Sequence, residues 1–326
     1  MENMKFIDLF SGIGGFRIAL ESLGFKCVFS SDIDKEARKV YKNNFGENPE
    51  GDITKIPNSE IPSHDILCAG FPCQPFSISG KRLGFEDIRG TLFYDIARIA
   101  KYSRPKFLFL ENVANFVKHD EGKTLKTILE ILDSINYSVY YDVLNASLFG
   151  VPQSRKRVYF LCIRKDLNFK SYFFPKPTLE NISLKNIILE DKYTKNLIIE
   201  RNDIYFDKNS NKLMNSNNST LKPVRIGYVN KGGQGERIYS ERGHAITLSA
   251  YGGGVGAKTG LYYINGVVRK LHLEECKRVM SFPENFRIHE SANQAYKQFG
   301  NSVVVKMIKI IFEKLLKDNN YPSHKT

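Results

Sequence analysis

One cysteine of the chain lies in a setting that suits a nucleophile. Cys73 is held between prolines in the segment Phe71-Pro72-Cys73-Gln74-Pro75, directly after the apolar run 66–69. Each proline fixes its own φ angle at roughly −65°, so the loop presents the thiol rigidly at the end of a predicted strand. A thiolate in such a position can add to an electron-poor carbon. A buried thiol without a chemical role is the alternative, and the rigid loop favours the nucleophile.

The remaining cysteines show no pattern of metal ligands or disulfides. Cys27, Cys68, Cys162 and Cys276 are scattered, and no C-x-x-C pair occurs among the five cysteines. Zinc sites and disulfide frameworks need regular spacings of their ligands or partners. We therefore expect neither a metal nor a disulfide, and we expect most of these cysteines to be plain buried thiols.

A carboxyl group and two guanidinium groups lie at the ends of further predicted strands. Glu111 directly follows the apolar run 107–110, and Arg155 and Arg157 lie where the segment 153–157 enters the next strand. Alternation along a strand would place the two arginines on one face. Such groups could supply a proton donor and cationic contacts to one site. Contact with phosphate alone is the alternative for the arginines.

A glycine-rich turn follows the first predicted strand, which is where α/β proteins bind adenosine cofactors. The turn is Phe10–Phe16, and Asp32 ends the second strand, where it could accept hydrogen bonds from two ribose hydroxyls. Asp52 could accept one from an adenine amine. Arg17 takes the place of the third glycine of G-x-G-x-x-G, which counts against a dinucleotide. The turn alone does not choose between NAD and S-adenosylmethionine, and a tight turn beside solvated acids is the alternative.

The elements that must position these residues alternate between strand and helix. Apolar runs predict strands over Lys5–Phe10, Cys27–Ser31, Asp65–Ala69, Lys106–Leu110, Tyr137–Leu144 and Arg157–Arg164. Apolar residues spaced three and four apart predict helices near 16–23, 125–132 and 303–315. This alternation predicts the α/β class, with a Rossmann-like, doubly wound and mostly parallel sheet.

The pattern changes after residue 185. Residues 186–222 are polar and rich in Asn and Lys, and 227–260 is dense in glycine, which marks turns and close backbone approaches. The expected organisation is a catalytic and cofactor-binding domain over 1–185, a second, smaller irregular β domain over 186–272, a hinge over 273–300 and a C-terminal helix over 301–326 that returns to the catalytic domain.

The composition fits a globular protein with a polyanionic partner. The 326 residues contain 48 Lys and Arg against 35 Asp and Glu, a net charge of +13, with 42% hydrophobic residues. A basic excess suits nucleic acid because cations displace the counterions condensed on phosphates, although solubility alone could also explain it. An apolar run of about eighteen residues, as a membrane helix needs, is absent from the sequence, and no signal peptide is evident. We expect a cytoplasmic protein that makes no membrane contact.

Taken together, the motifs resemble those of one family. Phe10–Phe16, Pro72-Cys73-Gln74, Glu111-Asn112-Val113, Gln153-x-Arg155-x-Arg157 and Gly300-Asn301-Ser302 occur in the order and approximate spacing of bacterial cytosine-C5 DNA methyltransferases. The resemblance spans essentially the whole chain, and five ordered motifs are far more specific than any one of them. It implies the S-adenosylmethionine-dependent methyltransferase fold and transfer of a methyl group to C5 of cytosine in DNA.

The resemblance also implies a role for each residue of the site. Cys73 would add to C6 of the cytosine, and Glu111 would hydrogen-bond or protonate N3. Arg157 would hold the O2 side of the ring, with Arg155 as its neighbour in the pocket. The residues expected at S-adenosylmethionine are Phe10, Gly12, Gly14, Gly15, Asp32, Ile33, Asp52, Ile53, Gly70, Pro72, Leu92 and Asn301. Relatives often carry Trp at the position of Ile33.

A cytosine inside a duplex must be flipped out before C5 and C6 can be reached. The resemblance implies that Gln234 enters the gap beside the orphaned guanine while Ser79 approaches from the other groove, and that segment 77–87 closes over the base. The remaining residues expected to read DNA are Arg237, Thr247, Tyr251 and Gly254. Without the resemblance, the glycine-rich stretch would be interpreted as an ordinary cluster of β-turns.

The match around Gln234 and Arg237 suggests the target 5′-GCGC-3′, methylated at its first cytosine. His244 and the pair Val255-Gly256 depart from the most similar family member and leave the outer bases open. The expected partner is double-stranded DNA, bound by a monomer in the prokaryotic cytoplasm, associated with the nucleoid. A companion restriction endonuclease of a type II system would act on the same site without needing to bind this protein.

Four other functions are weighed against this one. A tRNA cytosine-C5 methyltransferase shares the Pro-Cys-Gln chemistry, but residues 225–263 resemble a DNA-reading segment. A catalytically silent DNA-binding regulator would not need both Cys73 and Glu111. An adenine-N6 or cytosine-N4 enzyme would need an Asp-Pro-Pro-Tyr-like motif, which is absent from the sequence. No segment resembles the hydride-transfer site of an NAD-linked oxidoreductase.

Overall fold

A computed structural model describes residues 4–72, 91–167, 169, 171–208, 210 and 220–318. Cys73, Ser79 and the expected mobile segment 77–87 therefore lie outside the described residues. Contacts between residues group the chain into two compact units. Unit 1 comprises 1–144, 156–175 and 308–326, and unit 2 comprises 145–155 and 176–307. The expected domain boundaries at residues 185, 272 and 300 stay predictions.

The described helices and strands follow one another in mixed order along the chain. The helices are α1 (Gly15–Glu21), α2 (Lys35–Phe45), α3 (Leu92–Ser103), α4 (Lys123–Ser134), α5 (Leu273–Val279), α6 (Ala292–Asn301) and α7 (Val305–Asp318). The strands are β1 (Lys5–Leu9), β2 (Lys26–Ser31), β3 (Ile66–Gly70), β4 (Phe107–Val113), β5 (Tyr137–Asn145), β6 (Lys156–Arg164), β7 (Ile204–Phe206), β8 (Arg225–Val229), β9 (Arg237–Ser240), β10 (Leu261–Ile264) and β11 (Val267–Arg269). The expected hinge contains α5 and most of α6, and its movement stays a prediction.

Unit 1 is built on a six-stranded sheet in the order β2-β1-β3-β4-β6-β5. The strands β2, β1, β3 and β4 run parallel, whereas β6 runs antiparallel to β4. The central strands are apolar along almost their whole length, as expected for strands buried on both faces of a sheet. The predicted α/β class and mostly parallel sheet are thereby confirmed.

The strand order creates a switch point between β1 and β3. The chain passes from β1 to β2 on one side of β1 and then to β3 on the other side. Connections that leave adjacent strands in opposite directions open a crevice at the carboxyl ends of those strands, where open α/β sheets bind ligands. The turn after β1 and the loop after β3, which begins with Gly70–Pro72, both start at this edge. The sheet thus explains why the glycine turn and the loop leading to Cys73 belong to one end of unit 1.

Arg17 fixes the first helix and the glycine turn that precedes it. Its guanidinium carbon lies 4.6 Å from the centre of the Phe45 ring, and its nitrogens pair with Glu21 at 2.8 Å and Glu47 at 2.7 Å. A Cβ atom on Gly14, whose φ is +88°, would lie 2.4 Å from the same Phe45 ring. The position that a dinucleotide-binding turn fills with glycine is therefore occupied here by a structural arginine.

Unit 2 contains a five-stranded sheet in the order β11-β10-β9-β8-β7. Its small core consists of Ile226, Val229, Ile238, Leu261 and Val268. The irregular β structure predicted for this part of the sequence is present as short strands joined by glycine-rich turns. Within the described residues, no helix combines the length and apolar composition that crossing a membrane would require.

Candidate active site

Glu111 and Arg157 form an ion pair on neighbouring strands of unit 1. The Arg157 Nε atom lies 3.0 Å from Glu111 Oε1, and the side chains are only 13% and 11% exposed. The antiparallel register pairs Val113 with Arg157 and Glu111 with Tyr159, so the side chains reach diagonally between β4 and β6. Because little water screens this pair, the guanidinium orients the carboxyl group and restricts its rotation. The sequence prediction that the two residues share a site agrees with this distance.

Asn112 ties the same end of β4 to the loop that precedes Cys73. Its Nδ2 atom donates to the carbonyl oxygen of Phe71 at 3.0 Å, and its side chain is buried. Glu111 pairs in register with Gly70 of β3. The described chain therefore leads from Gly70 to Pro72 alongside the carboxyl group, one residue before the position of Cys73. The motif contained Asn112, but sequence reasoning missed its anchoring role.

The glycine turn and Asp32 are joined at the carboxyl ends of β1 and β2. The Gly12 amide donates to Asp32 Oδ2 at 2.7 Å, and the Asp34 amide donates to Oδ1 at 2.8 Å. Burial raises the pKa of Asp32, although both hydrogen bonds favour the ionised form. Each oxygen keeps a lone pair for a further donor. Gly12 has a φ of +54°, and an added Cβ would meet nothing within 4 Å, so open space lies beside this carboxylate.

Ile33 and Asp52 are two further residues expected at the cofactor, and together with Gly12 and Asp32 they are called here the cradle. The Ile33 side chain is 73% exposed, an unusual position for a large aliphatic group that follows a buried strand. Asp52 accepts from the backbone and hydroxyl of Thr54 at 3.1 and 2.8 Å, and these bonds lower the pKa of its carboxyl group. An exposed apolar surface and two carboxylates at one sheet edge can bind an adenosine group.

The other residues expected at the cofactor differ in their surroundings. Phe10 adopts a φ of +54°, Gly15 is buried at the start of α1, and Ile53 is almost fully buried. Gly70 ends β3, Pro72 is exposed, and Leu92 begins α3. Asn301 is the last residue of α6 in unit 2 and is exposed. The contact of each of these residues with a cofactor stays a prediction.

Arg155 lies in unit 2 and is buried among backbone carbonyl groups. Its guanidinium donates to the carbonyl oxygens of Leu248 at 3.2 Å, Gly300 at 3.1 Å and Ser302 at 2.6 Å. The side chain is 2% exposed. Strand β6 begins at Lys156, so the alternation expected for two strand residues does not include Arg155. These bonds favour a positioning role for Arg155 over the catalytic role that the motif suggested.

Gln153 and Gly300 add further contacts among the three chain segments that Arg155 joins, around residues 154, 248 and 301. The Gln153 Oε1 atom accepts from the Leu248 amide at 3.1 Å, and Thr247 Oγ1 donates to the Ser154 carbonyl at 2.6 Å. A Cβ atom on Gly300 would lie 2.2 Å from the Ala250 amide nitrogen. Three sequence segments that are far apart in the chain thus meet through backbone groups. Sequence reasoning found the motifs but not these mutual contacts.

Four of the residues expected to read DNA, which are Gln234, Arg237, Tyr251 and Gly254, lie on or beside two glycine-rich loops of unit 2. Gln234 and Arg237 are exposed on the hairpin between β8 and β9, and Tyr251 is 80% exposed. The Gly256 amide donates to the Gly235 carbonyl at 2.7 Å. A Cβ on Gly235 would lie 2.1 Å from the carbonyl oxygen of residue 253, so the two loops pack backbone against backbone. Gly254, with a φ of +80°, belongs to the second loop.

His244, noted as a departure from relatives, does not lie on this exposed surface. It is fully buried, and burial lowers the pKa of its ring to about 4. The imidazole is therefore neutral near neutral pH and acts as part of the interior of unit 2.

Comparisons with known proteins show the family of this chain. The profile of the C-5 cytosine-specific DNA methylase family matches residues 4–317. The type II methyltransferase M.HhaI of Haemophilus parahaemolyticus is 54% identical over 311 residues, which cover 95% of this chain and 94% of that protein. The type II methyltransferase M1.ScrFI of Lactococcus lactis subsp. cremoris is 43% identical over 319 residues, 96% of this chain and 78% of that protein.

A solved structure supports the fold. The S. pombe Dnmt2 methyltransferase superposes with a TM-score of 0.71, covering 97% of this chain and 99% of that one, at 19% sequence identity. Identity this low speaks for the fold alone. The family profile and the identity to the two type II enzymes decide the family. The chain therefore belongs to the C-5 cytosine-specific DNA methylases and is a DNA (cytosine-5-)-methyltransferase.

Proposed function

We propose that this enzyme flips a cytosine out of duplex DNA, activates it by attack of Cys73 on C6, and methylates C5 within 5′-GCGC-3′ as part of a type II restriction-modification system. The observation that carries the proposal is the buried pair of Glu111 and Arg157 beside Gly70–Pro72. A carboxyl group and a guanidinium held this way suit the two polar edges of a cytosine ring.

The chemistry requires a nucleophile because C5 of cytosine is too electron-poor to accept a methyl group directly. Addition of the Cys73 thiolate to C6 forms a carbon–sulfur bond and moves electron density to N3 and C5. Glu111 donates a hydrogen bond or a proton at N3, where the negative charge would otherwise collect. Arg157 holds O2 and, through its 3.0 Å contact with Glu111, keeps the carboxyl group in position. Loss of the C5 proton and of the thiolate then restores the aromatic ring.

The residues of the cradle fit S-adenosylmethionine. Asp32 keeps acceptor capacity for ribose hydroxyls, Ile33 offers an exposed apolar surface to adenine, and Gly12 leaves open space beside them. Asp52 retains a second carboxylate oxygen for the adenine amine. When bound, S-adenosylmethionine supplies an electrophilic methyl group. Asn301 and Leu92 would contact it from α6 and α3.

The recognition loops suit a flipped substrate. Gln234 would occupy the gap beside the orphaned guanine, and Arg237 would donate two hydrogen bonds to a guanine edge, a contact that discriminates by about 1–3 kcal/mol. Thr247, Tyr251 and Gly254 would complete the face, with Ser79 approaching from the other groove. The net charge of +13 supports binding of the phosphate backbone.

Transfer of labelled methyl to duplex DNA tests the proposal. The wild type should label DNA that contains GCGC, and Cys73→Ala should lower labelling by at least about a thousandfold while DNA binding in a gel-shift assay survives. Cys162→Ala is the matched control, because Cys162 is a buried thiol of β6 and should leave labelling intact. Equal labelling by wild type and Cys73→Ala would exclude this mechanism.

A duplex with 5-fluorocytosine at the target separates covalent attack from other routes. After Cys73 adds to C6 and C5 is methylated, the fluorine cannot leave as a proton does, so the sulfur–carbon bond persists in a denaturing gel. An active wild-type enzyme that forms no such adduct would refute attack by Cys73. Bisulfite sequencing of modified DNA identifies the target, and methylation outside GCGC would overturn the specificity alone.

A further inference from the structure

Four polar side chains close the base of the hairpin that carries Gln234. They are Arg201, Asp203, Asn230 and Glu236, called here the loop brace. Arg201 and Asp203 precede β7, whereas Asn230 and Glu236 flank the turn between β8 and β9. None of them belongs to the residues assigned to chemistry or to base reading.

Asp203 is the hub of the loop brace. Its carboxylate accepts from Arg201 Nε at 2.7 Å and Nη2 at 2.8 Å, a bidentate pair, and from the Asn230 amide at 3.1 Å. The hydrogen bonds from Arg201 lower the pKa of Asp203 to about 2. The carboxylate is therefore ionised throughout the pH range in which the enzyme would work. Through it, the residue directly before the edge strand β7 binds the backbone of Asn230, the first residue of the turn.

Asn230 extends the loop brace across the turn. Its φ is +47°, a conformation in which Asn is tolerated better than most residues. Its Oδ1 atom accepts from Arg201 Nη2 at 2.6 Å, and its Nδ2 atom donates to Glu236 Oε1 at 2.9 Å. The side chain thus joins the two ends of the turn that contains Gln234.

Glu236 and an aromatic stack hold the middle of the turn. The second Glu236 oxygen accepts from the Gly233 amide at 2.9 Å, next to Gln234. A Cβ on Gly232 would lie 3.2 Å from the Tyr228 ring, which stacks on Tyr205 with centres 5.5 Å apart. The turn therefore rests on a rigid surface and is bonded at both ends, while the Gln234 side chain itself is exposed.

We infer that the loop brace is a positioning device for Gln234, which holds the hairpin in the shape that enters the duplex before DNA is bound. The inference rests on the proposed function, because it takes Gln234 as the residue that fills the gap. Extruding a base costs unstacking and unpairing. A turn that is already ordered loses little further conformational freedom when it inserts into the duplex. The free energy gained when Gln234 fills the gap is therefore hardly offset by the ordering of the loop.

The experiment compares Asp203→Ala with Asp207→Ala. Asp207 lies directly after β7, as Asp203 lies directly before it, and it approaches Arg225 at 4.0 Å outside the loop brace. Single-turnover methylation is measured on a GCGC duplex and on one with an abasic site opposite the target cytosine, where flipping is easier. We expect Asp203→Ala to lose about tenfold on the paired duplex, which corresponds to about 1.4 kcal/mol, and less than about twofold on the abasic one. Asp207→Ala should match the wild type on both.

Each outcome decides the inference. A tenfold loss that persists on the abasic duplex would show that Asp203 acts on folding or general DNA binding, and it would overturn the positioning role. Wild-type rates for Asp203→Ala on the paired duplex would overturn it as well. An inactive wild type on GCGC, by contrast, would refute the proposed function first. Gln234→Ala should likewise lose activity on the paired duplex and lose much less on the abasic one, which would show that the effect of Asp203→Ala acts through the Gln234 side chain.

Asn230→Gly separates the side-chain bonds from the backbone conformation. Glycine adopts a φ of +47° readily, so this variant removes only the contacts to Arg201 and Glu236. We expect a loss of about three- to fivefold on the paired duplex, because the Asp203 contact to the backbone amide of residue 230 survives. An effect larger than that of Asp203→Ala would contradict the place of Asp203 as the hub.

Discussion

Arg155 and Arg157 stand two residues apart in one motif, yet they belong to different units and meet different partners. Arg157 pairs with one carboxylate in unit 1, at 3.0 Å from Glu111, and gives one further bond, from Nη1, to the neighbouring Lys156 carbonyl at 2.8 Å. Arg155 gives its donors to three backbone carbonyls in unit 2. A guanidinium whose donors are occupied by the backbone fixes chain segments, whereas one paired with a carboxylate can still bind a substrate edge. The same residue type therefore performs two different tasks.

The largest effect that this comparison predicts is at Glu111. Glu111→Gln keeps the shape of the side chain and an acceptor for Arg157, but it removes the proton that N3 would receive. We expect the methylation rate to fall by about a thousandfold, within the range of general acid catalysis, when the variant is assayed well below its unfolding transition. Glu121→Gln, which alters a carboxylate that is 87% exposed, is the control. A methylation rate of Glu111→Gln within tenfold of the wild-type rate would contradict the role of Glu111 as the proton donor to N3.

Arg155 should instead act through stability. Arg155→Ala leaves three buried carbonyl oxygens without a donor, and we expect unfolding to become easier by about 3 kcal/mol in urea titrations. Lys156→Ala, at the exposed neighbouring position, should change stability by less than about 0.5 kcal/mol.

The variants with lysine sharpen the same comparison. Arg155→Lys should retain a methylation rate within about tenfold of the wild type when it is assayed well below its unfolding transition, because the Arg155 guanidinium is engaged by backbone carbonyls. Arg157→Lys should lose more, since an ammonium cannot hold both Glu111 and the ring edge in a planar arrangement. A larger loss of rate in Arg155→Lys than in Arg157→Lys would favour a direct contact of Arg155 with the substrate.

The sequence was most informative where function depends on regular strands. Glu111, Asp32 and Cys73 each follow an apolar run, and parallel strands bring their carboxyl ends to one edge, so spacing alone predicts that they share a site. Contacts within unit 2 were not predictable in this way. The bonds of Arg155 to residues 248 and 300 join positions 93 and 145 residues apart, and no local periodicity encodes them.

The recognition hairpin was identified only through the resemblance. Its glycines fit an ordinary cluster of turns equally well, because the packing of Gly235 against residue 253 depends on a second loop. The loop brace was missed altogether, since Asp203 belongs to a segment that carries no motif and Asn230 is not one of the glycines that mark the recognition stretch. Side chains that organise a loop leave a weaker sequence signal than side chains at the end of a buried strand.

Asp8 provides a contrast with Arg155 that can be measured by pH. It is fully buried in β1, and its carboxyl oxygens have no hydrogen-bond partner among the described residues. Burial raises its pKa well above the ordinary value, with Arg17 opposing the shift and Asp32 and Glu21 adding to it. Arg155 is a buried charge whose guanidinium donates to three carbonyl groups, whereas Asp8 is a buried acid whose raised pKa favours the protonated form in the folded chain.

Asp8→Asn should therefore stabilise the protein increasingly as the pH rises. Below the ordinary pKa of an aspartic acid, both the folded and the unfolded chain hold the proton, so the substitution removes no pH-dependent contribution. Above it, the unfolded wild type ionises while the folded protein does not, and its stability falls by about 1.4 kcal/mol per pH unit until the raised pKa is reached. Asparagine has no proton to lose, so urea midpoints at pH 5, 6 and 7 should diverge in its favour.

Asp166 gives the control of opposite sign, because hydrogen bonds from Arg164 lower the pKa of its exposed carboxyl group. Asp166→Asn should not gain stability with pH over this range. A constant difference between Asp8→Asn and wild type from pH 5 to 7 would mean that Asp8 ionises normally in the folded chain. The carboxylate would then need a partner such as a buried water, and the contrast with Arg155 would disappear.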